Sequence, residues 1–172
     1  MTWDELTALG LDIGKDYVTS WIRQYFRRDA RILDVGACDG KWRNLLPEYR
    51  NMDAVEAWEP HCEKILPMYR RVFYQDIRDF LFLEAYDLII FGDVIEHLPV
   101  TDAQQVLKEA APSCRDLIVG VPFLWPQDDY DGNPYEVHIQ DDLTREIFAA
   151  RYPDLEVLYD PGGRYCYYHK RS

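Results

Sequence analysis

The chain has 172 residues, a formal net charge of −12 and four cysteines with no Cys-x-x-Cys spacing. Its hydrophobic content of 48% and aromatic content of 15% predict one globular domain over residues 1–172 rather than a disordered chain. The negative net charge disfavours binding to the phosphates of a nucleic acid. The apolar run at residues 88–91 is too short to span a membrane. The first residues lack the basic head and apolar core of a signal peptide. Together with the scattered cysteines, this leads us to expect a cytoplasmic protein.

The N-terminal segment, residues 1–30, predicts two helices that lie over the ligand edge of a sheet. The first spans residues 4–10 and the second about residues 16–28, with apolar side chains repeating at helical spacing in the second. Most aromatic residues in this segment are expected to pack in the core. Trp3 and Tyr17 are the two that we consider as lid residues.

A glycine loop follows the first predicted strand. Residues 31–41 read Arg-Ile-Leu-Asp-Val-Gly-Ala-Cys-Asp-Gly-Lys, which predicts a short buried strand, a turn and the start of a helix near Lys41. Glycine lets the backbone turn sharply and lets a ligand approach it closely. A dinucleotide fingerprint would need glycine where Cys38 and Lys41 stand, and a phosphate-binding P-loop would need Ser or Thr where Trp42 stands. The spacing therefore disfavours both of these ligand sites.

Strands and helices then alternate, which predicts an α/β protein with three layers. The last two predicted strands flank a turn-rich Asp-Pro-Gly-Gly segment, so we expect them to form an antiparallel hairpin. Further predicted strands cover residues 52–58, 71–75, 86–94, 117–121, 155–159 and 165–169. Predicted helices cover residues 42–46, the segment that begins at residue 59, residues 102–112 and residues 143–152.

Two segments resemble motifs of the class I S-adenosylmethionine-dependent methyltransferases. Residues 32–40 resemble motif I, with Ala37 standing where many members have glycine or cysteine. Residues 86–98, in which Asp-Leu-Ile-Ile precedes Ile-Glu-His-Leu, resemble the segment that follows strand four in many small-molecule methyltransferases. The resemblance runs from residue 32 to the last residue. It implies a Rossmann-like, mostly parallel seven-stranded sheet ending in an antiparallel hairpin, with S-adenosyl-L-methionine as cofactor.

The resemblance also implies a set of donor-binding residues at the strand ends. An acid after the second strand would bind the ribose hydroxyls. Glu59, at the corner before Pro60, is our first choice, and Glu56 is the alternative. An acid after the third strand would accept from the adenine amino group, which implies Asp76 with the N–H of Ile77, although Asp76 could instead cap a helix. The predicted donor-binding set is Asp34, Gly36, Ala37, Gly40, Glu59, Pro60, Asp76, Ile77 and Asp93.

The candidate catalytic residues lie after the fourth strand and in a long loop. Residues 122–141 are rich in proline and aromatic residues, which predicts an ordered substrate lid. His97 and His138 are candidate bases for a hydroxyl acceptor, because the imidazole pKa of ~6.5 lies near the working pH. Either histidine could instead shape the pocket. Asp93 is the third candidate and could hold the substrate or the donor amino group.

The two histidines stand beside acids in the sequence, and imidazole with carboxylate is a ligand set that metals use. A metal site would require two pairs about 40 residues apart to converge. The pairs are Glu96 with His97 and Glu136 with His138. Our predicted site contains no metal.

The resemblance thus implies a methyltransferase, and we expect it to act on a small-molecule or sugar-like acceptor, at oxygen. Its oligomeric state stays open. A catalytically silent donor-binding module that regulates a partner is an alternative. A nucleotide-cofactor oxidoreductase is a second alternative, which the glycine spacing disfavours.

Overall fold

The computed structural model describes residues 13–171, so Trp3 and the helix predicted at residues 4–10 lie outside the described part. Seven strands in this part of the chain form one sheet. They are β1 (Ile32–Val35), β2 (Met52–Glu56), β3 (Arg71–Tyr74), β4 (Tyr86–Gly92), β5 (Cys114–Pro122), β6 (Glu156–Tyr159) and β7 (Tyr165–Arg171).

The strand order across the sheet is β3-β2-β1-β4-β5-β7-β6. The pairs from β3 to β5 are parallel, whereas β7 is antiparallel to both of its neighbours. Only β7 is therefore reversed within this sheet. The predicted Rossmann-like sheet with a terminal antiparallel hairpin is confirmed.

Side chains alternate between the two faces along each strand, and apolar side chains lie on both faces. Helices therefore cover both faces of the sheet. On one face, Ile32 packs with Val18 and Ile22 of the N-terminal helix. On the other face, Leu33 packs with Phe148. The helices are α1 (Lys15–Tyr25), α2 (Lys41–Leu45), α3 (Glu59–Ile65), α4 (Val100–Ala110) and α5 (Arg145–Arg151).

The start of α1 differs slightly from the sequence prediction. The helix begins at Lys15 after Gly14, which has a φ of 73°, and Asp16 lies in the first turn.

No helix within residues 13–171 is long and apolar enough to cross a membrane.

An aspartate near the start of β2 forms hydrogen bonds with side chains from the start of β3 and from β4. The Asp53 carboxylate is fully buried and accepts from the guanidinium groups of Arg70 and Arg71 at 2.6 and 2.7 Å, and from the Tyr86 hydroxyl at 3.1 Å. Burial would raise the pKa of Asp53, but the hydrogen bonds and charges of the two arginines hold it below its ordinary value. This acid lies at the amino end of β2, so its role is structural.

We expect Asp53→Ala to lower the free energy of unfolding by about 3 kcal/mol, the lower end for a broken buried pair because both arginines are partly exposed. Because the folded-state pKa is depressed, this stabilisation is present above the unfolded pKa and is lost as the pH falls through the folded pKa. Urea unfolding against pH measures both effects. The control is Asp154→Ala, which removes an exposed pair with Lys170 and should change stability by less than about 0.5 kcal/mol. Equal losses in the free energy of unfolding in Asp53→Ala and Asp154→Ala would contradict the structural role assigned to Asp53.

Candidate functional site

The candidate site lies where the loops after β1 and β4 leave the sheet side by side. Val35, the last residue of β1, pairs with Val55 of β2 and with Phe91 of β4. The strand order reverses direction between β1 and β4, which is the position where open α/β sheets bind ligands. The loop of residues 36–40 and the turn of residues 93–97 therefore border one crevice.

Backbone hydrogen bonds fix the conformation of the glycine loop, residues 36–40, and its two glycines pack closely against neighbouring side chains. The Gly36 N–H donates to the Val55 carbonyl at 2.9 Å, and the Gly40 N–H to the Ala37 carbonyl at 2.7 Å. Gly36 and Gly40 have φ values of 65° and 81°. A Cβ at Gly36 would lie 2.6 Å from Val94 Cγ2, and one at Gly40 would lie 2.5 Å from a Met68 side-chain carbon. Both glycines are therefore needed for the fold of the loop itself, whether or not a ligand is bound.

The acid that contacts the glycine loop is Glu56, the alternative in the sequence prediction. Its carboxylate is buried and accepts from the N–H groups of Cys38 at 2.8 Å and Trp58 at 2.9 Å. Glu59 and Pro60 lie on the exposed first turn of α3. The end of β2 thus points Glu56 towards the loop, and Glu59 lies farther along the chain.

Asp76 and Ile77 follow β3 as predicted, but their side chains already have partners. The Asp76 carboxylate accepts from the Arg78 N–H at 2.9 Å and from its guanidinium at 2.6 Å. The hydrogen bond from Arg78 holds the pKa of Asp76 below its ordinary value. Ile77 is buried in the core. Asp76 therefore caps a 3₁₀ turn, Ile77–Asp79, and an adenine role would have to share its oxygens.

Asp34 is buried beneath the loop. Its Oδ2 accepts from the Tyr69 hydroxyl at 2.5 Å, and its Oδ1 has no hydrogen-bond partner in the part of the chain that the structure describes. Burial raises the pKa of Asp34 to about 7, opposed by the Tyr69 hydrogen bond and assisted by the nearby charge of Glu56. Asp34 is thus poised between its neutral and charged forms near neutral pH.

Asp93 occupies a strained position directly after β4. Its φ is 60°, an uncommon value for a residue with a side chain. Its N–H donates to the Gly120 carbonyl at 3.0 Å, while its carboxylate accepts from the Tyr165 hydroxyl at 2.6 Å and lies 3.4 Å from the Lys15 ammonium. The contact with β5 therefore holds the backbone of Asp93, and the contacts with α1 and β7 hold its carboxylate at the crevice.

The lid segment, residues 122–141, folds back onto the turn after β4. The N–H groups of Ile139 and Gln140 both donate to the Glu96 carbonyl at 2.9 Å. This contact brings His97 and His138 together, with ring centroids 4.6 Å apart. His138 thus joins the pair Glu96 and His97, whereas Glu136, the fourth residue of the two predicted pairs, lies with Cys38 and His61.

Each histidine ring is oriented by a backbone carbonyl. Nδ1 of His97 lies 3.1 Å from the Val137 oxygen, and Nδ1 of His138 lies 2.6 Å from the Trp125 oxygen. Because a carbonyl only accepts, each Nδ1 carries the proton and each Nε2 keeps its lone pair. Burial, with the neighbouring His138, lowers the pKa of His97 to about 4, and burial also lowers the pKa of His138. Both rings are neutral at pH 7.

Acidic groups surround this pair. Glu96 is fully buried, and within residues 13–171 neither of its carboxylate oxygens has a hydrogen-bond partner. Burial raises the pKa of Glu96 well above its ordinary value, and the charges of Asp93 and Glu136 add to the effect. Glu136, from the lid, lies with Cys38 and His61, and one ligand atom from each of these three falls within 4.8 Å of the others.

Three residues that the sequence did not single out complete the site. Lys15 is a buried lysine from α1, Tyr165 comes from the start of β7, and Tyr69 holds Asp34. Lysine near a helix start and tyrosine in a predicted strand are ordinary patterns, so no local signal marks them. Among the sequence-predicted residues, Asp34, Asp93, His97 and His138 are brought to this edge of the sheet, whereas Glu59 and Pro60 stay on the surface.

No protein-family model matches the chain, and no curated protein matches its sequence significantly. Solved structures do match its fold. A S-adenosylmethionine-dependent methyltransferase from Clostridium acetobutylicum ATCC 824 superposes with a TM-score of 0.70 at 14% identity, covering 98% of this chain and 95% of that one. The fold is that of the class I S-adenosylmethionine-dependent methyltransferases.

Two further structures with this methyltransferase fold are similar over most of their length. A TehB-like methyltransferase from Corynebacterium glutamicum ATCC 13032 has a TM-score of 0.63 at 18% identity, covering 99% of this chain and 94% of that one. Magnesium protoporphyrin IX methyltransferase from Synechocystis PCC 6803, solved with bound S-adenosylmethionine, has a TM-score of 0.59 at 16% identity, covering 91% and 77%. At these identities the likeness establishes the methyltransferase fold.

We expect Asp34→Asn to remove a pH dependence of stability. An acid whose folded pKa rises from 3.8 to about 7 makes the folded state progressively less stable as the pH rises through that window. The stability of Asp34→Asn relative to wild type should therefore increase by about 2 kcal/mol between about pH 5.5 and about pH 8. Urea unfolding at both pH values measures it, with Asp154→Asn as the exposed control. If the free energies of unfolding of wild type and Asp34→Asn change equally between the two pH values, the conclusion that Asp34 is protonated in the folded state at the lower pH is wrong.

Proposed function

We propose that the protein is a S-adenosylmethionine-dependent methyltransferase that methylates a hydroxyl oxygen of a small-molecule or sugar-like acceptor. The observation that carries the proposal is the arrangement at the strand-order reversal, where a glycine loop, a strand-end acid and a histidine-bearing turn border one crevice. The net charge of −12 supports a small acceptor over a nucleic acid.

The residues of the crevice suit this donor chemically. Each carboxylate oxygen of Glu56 accepts one backbone N–H beside the glycine loop and keeps a further lone pair, which can accept from a ribose hydroxyl. Asp93 offers a carboxylate for an ammonium group, whereas burial raises the pKa values of Glu96 and Glu136 and so disfavours their charged forms. S-adenosylmethionine carries a positive sulfonium and an ammonium group, so an acidic crevice attracts it. We therefore assign the ribose role to Glu56 rather than to Glu59.

When bound, the donor supplies a methyl group on sulfur, and the acceptor oxygen forms its bond to that carbon as the C–S bond breaks and its electron pair stays on sulfur. The chain must hold the acceptor in line and accept or release its hydroxyl proton. We place this task on His97 and His138, each of which keeps a lone pair on Nε2. His138 is the stronger candidate, because burial and the neighbouring His138 lower the pKa of His97 to about 4, which makes the His97 ring a weak base. Asp93 anchors the donor or the acceptor beside them.

Calorimetric titration with S-adenosylmethionine and S-adenosylhomocysteine tests the donor site. We expect wild type to bind both, and Glu56→Gln to bind the donor more weakly by about 1–3 kcal/mol through lost charge-assisted hydrogen bonds. The matched control is Glu59→Gln, an exposed acid three residues away, which should bind as wild type does. Weakening in Glu59→Gln alone would return the ribose role to Glu59. A folded wild type that binds neither ligand, and binds NAD instead, would favour the oxidoreductase.

We expect His138→Ala to keep its donor affinity and to lose turnover by about 100-fold or more, in the range of general acid–base catalysis. Release of S-adenosylhomocysteine, followed with a panel of hydroxylated acceptors, measures it. Weak donor binding in His138→Ala would put this residue in the donor pocket. Donor binding without methyl transfer to any acceptor would favour the silent regulatory module.

A further inference from the structure

We propose that Glu96, His97 and His138 form a binding site for a divalent first-row transition-metal ion. One ligand atom from each residue lies within 4.8 Å of those of the other two. In a tetrahedral zinc site with bonds of about 2.0–2.2 Å, ligand atoms lie about 3.4 Å apart, so small side-chain rotations close this set.

The orphaned carboxylate of Glu96 is the strongest evidence for a cation. The side chain is fully buried, and neither oxygen has a hydrogen-bond partner among the described residues. A buried, unpaired carboxylate is costly, so native proteins protonate it, pair it or bind a metal to it. The nearby ammonium of Lys15 lies against Asp93 instead, at 3.4 Å from its Oδ2. Glu96 thus has unused acceptors aimed at the same space as the histidines.

The two histidines have the second contacts that metal ligands require. Each Nδ1–H donates to a backbone carbonyl, Val137 for His97 and Trp125 for His138. Metal-bound imidazoles almost always have their other nitrogen fixed in this way, which sets the tautomer and the ring orientation. The lone pairs on both Nε2 atoms are therefore preorganised.

The backbone holds the two halves of the set together. The Glu96 carbonyl accepts from two lid N–H groups, and the Gln140 side chain donates to the Ile95 and Leu98 carbonyls at 2.8 and 2.9 Å. These bonds fix the lid to the 3₁₀ turn Ile95–His97 whether or not an ion is present. The site is thus built on fixed backbone from two distant segments.

The ligand chemistry selects the ion. Two imidazoles and one carboxylate suit Zn²⁺, Co²⁺, Mn²⁺ or Fe²⁺, whereas Mg²⁺ and Ca²⁺ prefer oxygen ligands alone. Three protein ligands leave at least one coordination position open. On the proposed methyl transfer, that position would take the acceptor hydroxyl and lower its pKa. The histidines would then act as ligands rather than as bases.

Titration of chelator-treated protein with Co²⁺ tests the proposal, because visible d–d absorption reports the coordination directly and does not depend on activity. We expect wild type to bind one Co²⁺ per chain, Zn²⁺ to displace it and Mg²⁺ not to compete. His138→Ala and the isosteric Glu96→Gln should bind at least about 100-fold more weakly, since even outer-shell substitutions cost about 10–100-fold. Zn²⁺ should also raise the melting temperature of wild type but not of these variants.

Two control variants locate the ion. His169→Ala removes a histidine of β7 that is not in the set, and it should bind Co²⁺ as wild type does. Cys38→Ala tests the other convergent group, which contains Cys38, His61 and Glu136. Loss of binding in Cys38→Ala with retention in His138→Ala would overturn the proposal, as would a folded wild type that binds neither Co²⁺ nor Zn²⁺.

The same samples are titrated with S-adenosylhomocysteine to separate the two proposals. Binding of one Co²⁺ per chain without binding of S-adenosylhomocysteine would support the metal site and contradict the proposed function. Binding of S-adenosylhomocysteine without binding of Co²⁺ would contradict the metal site alone.

Discussion

The parallel pairing of β1 with β4 is the constraint on which the site depends. These strands are separated by about fifty residues of chain, yet Val35 and Phe91 lie side by side at their carboxyl ends. Since parallel strands deliver their following loops to the same edge, the glycine loop meets the turn that carries Asp93, Glu96 and His97. The apolar runs that make the two strands are therefore what assembles the polar crevice.

The crevice gathers acids at a cost to the folded protein. Asp34 and Glu96 are fully buried, and each has at least one carboxylate oxygen without a hydrogen-bond partner among the described residues. Burial disfavours the charged form of both, and the neighbouring carboxylates add repulsion. A protein that keeps this arrangement sacrifices stability at one edge of its sheet, as ligand sites commonly do.

Much of the fold could be predicted from the sequence, because long apolar runs and glycine-rich corners are local signals. The seven strands, their hairpin and the two-sided covering of helices follow from them. The site was less accessible. The local pattern favoured Glu59, at the corner before Pro60, whereas the acid that contacts the glycine loop is Glu56, because β2 ends at that residue. The contacts of Lys15 and Tyr165 with Asp93 are non-local, since α1 and β7 lie far from β4 in the chain.

The reversed position of β7 has a consequence for how the protein acquires its shape during synthesis. β7 fills the slot between β5 and β6, although it is made after both. Until it emerges from the ribosome, β6 has no partner in the sheet and β5 has an open edge. Tyr165, which fixes Asp93, arrives with the same strand. Because a domain folds as a unit, the sheet stays incomplete in the nascent chain until β7 has been made and closes both the edge and the crevice.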